Sequence, residues 1–120
     1  MVRILVVEDE ALVSIMVCDM LEELDHTVIG PAATIRQALE LVDTEEFDMA
    51  LLDVGLPDGP VFPLARKLRE RKIPYAFATG YHHVDDSEFS QDPILQKPYS
   101  FSNLEDVVTA LLTDRILQAA

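Results

Sequence analysis

The chain has 120 residues, which suits one domain, and 49 % of them are hydrophobic, enough for a packed core. Its formal net charge is −13 and its 9 lysines and arginines are scattered, which argues against direct binding of a nucleic-acid backbone. The N-terminal apolar run stops at Glu8, too early to cross a membrane, so we expect a cytoplasmic protein without membrane insertion.

The first elements in chain order are two strands and two helices. Residues 2–7 form a compact apolar run ending at acids, the pattern of a strand covered on both faces. Residues 10–24 are expected to form an amphipathic helix, because apolar residues recur three and four positions apart. A weaker strand-type run follows at 27–30, and Thr34 can cap a helix to about Val42.

The middle of the chain continues the alternation and then breaks it. Residues 49–53 are a second compact strand-type run, and Pro60 suits the first turn of a third helix. A strand-type run at 75–79 precedes the segment 80–93, which has little apolar periodicity. We therefore expect its helix to be short, irregular or absent. The histidine pair at 82–83 in this polar segment is interpreted as solvated.

The end of the chain completes the pattern. A short run at 94–96 precedes a last helix, which Ser100 or Ser102 can cap. Strands that alternate with helices over short turns predict right-handed crossovers and helices on both faces of a parallel sheet. The predicted fold class is α/β, a flavodoxin-like, doubly wound (βα)5 domain with a five-stranded parallel sheet.

Polar residues close several of these apolar runs. They are Glu8 and Asp9 after the first run, Asp53 in the third, Thr79 in the fourth and Lys97 after the fifth. The carboxyl ends of parallel strands meet at one edge of a sheet, so we expect one shared pocket. Three carboxylates so close would repel one another, and a divalent cation relieves that repulsion. Oxygen ligands without a cysteine or histidine cluster favour Mg²⁺.

Carboxylate, magnesium, lysine and hydroxyl together match the demands of phosphoryl transfer, with Asp53 as the nucleophile. Taken singly, each residue has a simpler structural interpretation. Lys97 would be a solvated loop lysine, Thr79 a strand-end hydroxyl, and Glu8 with Asp9 an acidic helix N-terminus. Those interpretations do not explain why all the exceptions fall at one sheet edge, so the shared site is favoured.

Several motifs carry a resemblance to a known family. They are Val6–Glu10, Leu52–Gly59, Thr79–Gly80 and Lys97–Pro98, in that order. With them the chain resembles the receiver domains of two-component response regulators, over essentially all of residues 1–120. The segment Phe77–Tyr81 is similar to that of a stand-alone subgroup found in alphaproteobacteria.

The resemblance implies a role for each site residue. Asp53 accepts a phosphoryl group from a histidine kinase or phosphotransfer protein, while Asp9, Asp53 and the Gly55 backbone carbonyl hold Mg²⁺, assisted by Glu8 through water. Lys97 would pair with one phosphoryl oxygen and Thr79 with another, which switches contacts with a downstream protein partner. By the same resemblance, the Lys97–Pro98 peptide bond is expected to be cis.

The sequence departs from the family at two places. Receivers often carry a switching aromatic residue three positions before the lysine, where this chain has Ile94; Tyr99 follows Lys97 instead. Gly55 stands where the related subgroup often has a polar side chain, so we expect altered autodephosphorylation, in either direction.

Three functional questions stay open at this stage. A magnesium-dependent phosphatase acting on external substrates needs a second acid where Gly55 stands. We therefore expect the protein to catalyse only its own phosphorylation and dephosphorylation. The alternative function is a non-phosphorylated interaction module with a vestigial acidic pocket. Leu12 and Ile15 lie off the core stripe of the first helix and form either a kinase docking face or a contact with the last helix.

Overall fold

A computed structural model of the protein describes residues 2–80 and 88–119. Its elements are β1 (Arg3–Val7), α1 (Ala11–Glu23), β2 (Thr27–Ala32), α2 (Ile35–Thr44), β3 (Met49–Asp53), α3 (Phe62–Glu70), β4 (Tyr75–Thr79), β5 (Ile94–Gln96) and α4 (Phe101–Ala119). The strands form one parallel sheet in the order β2-β1-β3-β4-β5, the flavodoxin-like arrangement. The predicted fold class is confirmed. None of the helices in the described ranges has the length and hydropathy that a membrane crossing requires.

The hydrophobic core has two layers, one on each face of the sheet. Side chains of β1 alternate between them, so Ile4 and Val6 face one layer while Leu5 and Val7 face the other. Helices α1 and α4 contribute Val17, Leu21, Leu104, Val108 and Leu111 to the first layer. Helices α2 and α3 contribute Ala38, Val42, Leu64, Ala65 and Leu68 to the second. Sandwiching the sheet in this way leaves its carboxyl edge as the place for polar groups.

Two predicted helix caps are present, and the predicted start of α3 is wrong. Thr34 accepts a hydrogen bond from the Gln37 amide at 3.1 Å, and Ser100 accepts one from Asn103 at 3.1 Å. Helix α3 begins at Phe62 with a proline in its first turn, but that proline is residue 63; Pro60 is exposed in the preceding loop. The helix starts later because Val61 must first be buried in the core at the N-cap position.

The connection from β4 to β5 packs against α3. Its described part, residues 88–93, consists of turns and bends, while residues 81–87, including Tyr81 and the histidine pair, lie outside the described residues. Phe89 is fully buried, stacks on Phe62 at 5.1 Å between ring centroids and meets Phe77 edge-on at 5.8 Å. Aromatic packing thus anchors residues 88–93 where a helix was expected to be short or irregular.

The basic residues are not scattered as described from the sequence, because five of the nine fall within residues 66–72, in and just after α3. Lys67 and Arg71 both pair with Asp43 of α2, at 2.8 and 2.9 Å. Arg66 and Arg69 both pair with Glu88, at 2.9 and 3.4 Å. Two cationic side chains therefore share one carboxylate in each case. The pairs tie α3 to α2 on one side and to the connection before β5 on the other.

Candidate functional site

The strand register brings the predicted site residues to one edge of the sheet. Val7 pairs with Leu52, one residue before Asp53, and Asp53 pairs with Ala78, one residue before Thr79. Glu8 follows β1 directly, and Lys97 follows β5 directly. The Lys97 amide donates to the Thr79 carbonyl at 2.7 Å, which fixes the end of β5 against the end of β4. The predicted convergence of the strand ends is therefore confirmed.

Three carboxylates form the centre of the site. Glu8, Asp9 and Asp53 each offer an oxygen atom within 4.8 Å of the others. Glu8 and Asp53 are only 5 % and 6 % exposed, whereas Asp9 faces solvent. Backbone amides hold the two buried groups, since Gly55 donates to Asp53 Oδ1 at 3.0 Å and Glu10 donates to Glu8 Oε2 at 3.1 Å. The cluster is thus rigid on its inner side and open at Asp9.

The Lys97 ammonium is the cationic partner of this cluster. Its Nζ lies 2.7 Å from Glu8 Oε1 and 3.4 Å from Asp53 Oδ1. The Lys97–Pro98 peptide bond is cis, as expected. One ammonium against three carboxylates leaves two formal negative charges, which matches the charge of a divalent cation.

Crowding separates the pKa values of the three acids. Burial raises the pKa of Glu8, and the hydrogen bond to Lys97 offsets only part of that effect. The neighbouring Asp53 carboxylate, followed by burial, raises the pKa of Asp9. Burial alone would also raise the pKa of Asp53, but the Asp9 side chain and the Gly55 amide lower it below its ordinary value. Asp53 is therefore the acid most firmly held in its ionised form.

The environment also keeps Lys97 charged. Burial alone would lower the pKa of Lys97, but its hydrogen bond to Glu8 and the charge of Asp53 raise it above its ordinary value. Within the described residues, Glu8, Asp9 and Asp53 form the one group of three or more acids, histidines or cysteines close enough to share a metal ion. An all-oxygen donor set with excess negative charge fits Mg²⁺.

An exposed apolar surface lies beside the site on α1. It consists of Leu12, Ile15 and Met16, which are 77 %, 58 % and 52 % exposed. Burial of Leu12 and Ile15 against the last helix is therefore excluded. Sequence reasoning missed Met16, although it lies four positions after Leu12 and so on the same helix face. A groove of about 330 Å³ adjoins it, lined by Glu10, Val13, Met16, Lys97, Pro98 and Tyr99.

Sequence reasoning also missed a contact made by the loop after Asp53. The Asp58 carboxylate accepts hydrogen bonds from the amides of Ile35 at 2.9 Å and Arg36 at 3.1 Å, at the start of α2. In the sequence, Asp58 stands out only as a member of the motif Leu52–Gly59. Its partners are 22 and 23 positions away along the chain, and no local pattern indicates a contact of that length.

Comparisons with known proteins agree with this geometry. Residues 4–109 match the response regulator receiver domain family. The chain is 30 % identical to the transcriptional regulatory protein PdtaR of Mycobacterium tuberculosis over 107 residues, 85 % of this chain and 52 % of that protein. It spans about half the length, or less, of the first curated relatives that it matches.

Solved structures include close relatives in both sequence and fold. The solution structure of SdrG from Sphingomonas melonis Fr1 is 40 % identical, covers 92 % of this chain and 95 % of that one, and superposes with a TM-score of 0.81. A solution structure of SdrG in its BeF3-activated conformation, given as from Pseudomonas melonis Fr1, is 42 % identical at the same coverage, with a TM-score of 0.78. The chain therefore belongs to the response regulator receiver domains of two-component systems.

Proposed function

We propose that this chain is a cytoplasmic phosphoacceptor whose Asp53 takes a phosphoryl group from a histidine kinase or a phosphotransfer protein in a Mg²⁺-dependent reaction. The observation that carries the proposal is the setting of Asp53. It is buried, held ionised, 3.4 Å from the Lys97 ammonium and grouped with two further carboxylates within 4.8 Å. Phosphoryl transfer needs such positioning and charge neutralisation more than it needs further covalent chemistry.

The proposed transfer is a simple exchange of bonds at phosphorus. An Asp53 carboxylate oxygen forms the new O–P bond while the P–N bond to the donor imidazole breaks, and the imidazole nitrogen keeps the electron pair and takes up a proton. Mg²⁺ bound by Asp9, Asp53 and the Gly55 carbonyl, with Glu8 acting through water, would neutralise charge on the phosphoryl oxygens. The Gly55 amide already donates to Asp53 Oδ1, which orients the carboxylate before transfer.

Switching is assigned to Lys97 and Thr79. The Lys97 ammonium would exchange part of its contact with Glu8 for a phosphoryl oxygen, and the Thr79 hydroxyl would donate to another. A modification at Asp53 would then bias a two-state equilibrium of the surrounding loops. The existence of a BeF3-activated conformation of SdrG supports such a change, because that relative is 42 % identical.

The apolar surface of α1 is the proposed docking site for the phosphoryl donor. It lies beside the acidic cluster, and Met16 shares a groove with Lys97. An exposed row of apolar residues at helical spacing suits a helix of a partner. Such a docking site would serve any of three roles of the protein. They are relay of phosphoryl groups, their removal from a kinase, and regulation of a downstream protein partner.

Catalysis on external substrates is not part of the proposal. Among the described residues, a Cβ at position 55 would contact Asp53 Oδ1, at 3.9 Å, and Gly55 itself offers no second acid at the place where such a phosphatase needs one. The protein would therefore catalyse only its own phosphorylation and dephosphorylation.

The test is intact-mass measurement after incubation with acetyl phosphate and Mg²⁺, with and without a chelator. Wild type should gain one phosphoryl group only when Mg²⁺ is free, and Asp53→Asn should gain none. Asp19→Asn, which changes an exposed acid of α1, is the matched control and should label like wild type. No gain together with beryllofluoride binding would restrict the proposal to donation by a kinase. Absence of both would favour an interaction module with a vestigial pocket.

A further inference from the structure

The loop between β3 and α3, residues 54–61, follows the phosphoacceptor strand and contacts the start of α2 through hydrogen bonds. Its first residues are fixed at the site, because the Val54 amide donates to the Ala78 carbonyl at 3.2 Å and the Gly55 amide donates to Asp53 Oδ1. Its far part is fixed by Asp58, whose two carboxylate oxygens each accept one amide of α2, from Ile35 and Arg36. The loop therefore spans from the acidic cluster to a neighbouring helix.

Helix α2 already has a cap encoded in its own sequence. Thr34 accepts from the Gln37 amide at 3.1 Å, and Gln37 Oε1 accepts from the Ala33 amide at 2.8 Å, much as in a capping box. Asp58 accepts from the two amides between Thr34 and Gln37, which have no partners within a helix. The bonds to Asp58 therefore add, to a helix start that has its own cap, a tie between that start and the loop.

These bonds are strong for an exposed contact. A carboxylate that accepts backbone amides at a helix N-terminus gains from both its charge and the helix dipole. The chain between Gly55 and Asp58 is short and includes Leu56, whose side chain is buried in the core. Because only two residues separate Gly55 from Asp58, the contact of Asp58 with α2 limits where the Gly55 main chain can lie.

We propose that Asp58 is a positioning residue of the acidic site. By fastening the loop to α2 it holds the Gly55 main chain where the cation ligands are completed, and it couples occupancy of the site to the start of α2. This inference rests on the proposed function, because it assumes that Asp9, Asp53 and Gly55 bind Mg²⁺. Coupling between two sites is reciprocal, so ligand binding should also tighten the contact of Asp58 with Ile35 and Arg36.

The first test compares Mg²⁺ affinities by isothermal titration calorimetry. Asp58→Ala should weaken Mg²⁺ binding roughly tenfold, at the lower end of the effect of outer-shell partners of metal ligands. Asp58→Asn, which keeps one acceptor oxygen, should be intermediate. Asp43→Ala is the matched control, because it removes an exposed carboxylate that ties the other end of α2 to Lys67 and Arg71 and does not contact the loop. It should leave Mg²⁺ affinity unchanged.

The second test follows amide hydrogen exchange by NMR, with and without Mg²⁺ and beryllofluoride. In wild type, loading should slow exchange at Ile35 and Arg36 more than at Gln37, whose amide bonds to Thr34 and serves as the internal reference. In Asp58→Ala, loading should no longer slow exchange at Ile35 and Arg36 selectively. Selective slowing in that variant would overturn the inference.

The outcomes separate this inference from the proposed function. Wild-type Mg²⁺ affinity in Asp58→Ala, or an equal loss in Asp43→Ala, would overturn the role of Asp58 while leaving Asp53 as the phosphoacceptor. Failure of wild type to bind Mg²⁺ or beryllofluoride would overturn both. The predicted pattern in both tests would make α2 a part of the molecule that responds to the state of the site.

Discussion

Lys97 is bound more closely by Glu8 than by the proposed phosphoacceptor. Its ammonium lies 2.7 Å from Glu8 Oε1, against 3.4 Å from Asp53 Oδ1. In the absence of a cation, this ammonium is the positive charge that offsets the acidic cluster. Since it covers the inner side of the cluster, the solvent-facing acid Asp9 bears the repulsion that remains.

Asp9→Asn should therefore stabilise the metal-free protein at neutral pH. Asp53 raises the pKa of Asp9, so the ionised Asp9 carboxylate opposes folding at a pH above that pKa. Removing the charge of Asp9 relieves its repulsion with Asp53. The gain should stay below about 1 kcal/mol, because an exposed carboxylate is screened by solvent. Urea unfolding with chelator measures it. With saturating Mg²⁺ the order should reverse, because wild type keeps a ligand that the variant lacks. A variant less stable than wild type under both conditions would refute the explanation by repulsion.

Gly55→Asn should change the lifetime of the phosphorylated form without harming the fold. Within the described part of the chain, a Cβ at this position meets Asp53 Oδ1 alone, at an ordinary contact distance, so the free energy of unfolding should change by less than about 0.5 kcal/mol. The new asparagine side-chain amide would reach the space beside the phosphoryl group, where it could form a hydrogen bond with the attacking water. Loss of phosphoryl mass with time measures the decay, in either direction. Gly55→Ala separates the effect of the Cβ from that of the amide, and identical decay in all three proteins would remove position 55 from the mechanism.

Ile15→Asp should slow transfer from a cognate kinase while leaving labelling by acetyl phosphate intact. A carboxylate in the apolar surface of α1 would have to lose its water on docking, at a cost of about 1–3 kcal/mol, which corresponds to a loss of rate of roughly 5- to 150-fold. Ile116→Asp is the matched control, because Ile116 is similarly exposed but lies near the end of α4. Equal slowing by both variants would show that added negative charge, rather than the α1 surface, causes the effect.

Tyr75→Phe should lower the free energy of unfolding at neutral pH. The variant should also lose less stability than wild type as the pH rises into the alkaline range. The Tyr75 hydroxyl donates to Asp92 at 2.6 Å, a bond to a charged group worth about 1.5–3 kcal/mol. Burial, followed by Asp92, raises the pKa of Tyr75 far above its ordinary value of 10.0. A raised folded-state pKa contributes stability that is complete below pH 10.0 and is lost as the pH rises beyond it.

Urea unfolding from neutral to alkaline pH tests this prediction. The difference between wild type and Tyr75→Phe should narrow as the pH rises above the ordinary tyrosine pKa. Tyr99→Phe is the comparison: burial likewise raises the pKa of Tyr99, but its hydroxyl has no Asp92 partner. A constant difference between wild type and Tyr75→Phe across the range would rule out titration of Tyr75 as the cause.

The order of the elements and the position of the site could both be predicted from local sequence patterns. Apolar runs of strand type and helical spacing report which faces are buried, and a polar residue that closes such a run stands out locally. Their local pattern therefore predicts one shared edge of the sheet for Glu8, Asp9, Asp53, Thr79 and Lys97. Their order along the chain also carried the family resemblance that the comparisons confirm.

The contact partners of those residues follow from the tertiary fold and could not be predicted from local patterns. The preference of Lys97 for Glu8 depends on side-chain positions at the ends of two strands that are distant in sequence. The bonds from Asp58 to the start of α2 depend on the path of a loop, and the start of α3 at Phe62 depends on how Val61 enters the core. Local patterns record burial and periodicity, whereas these contacts are set by how separate elements meet in space.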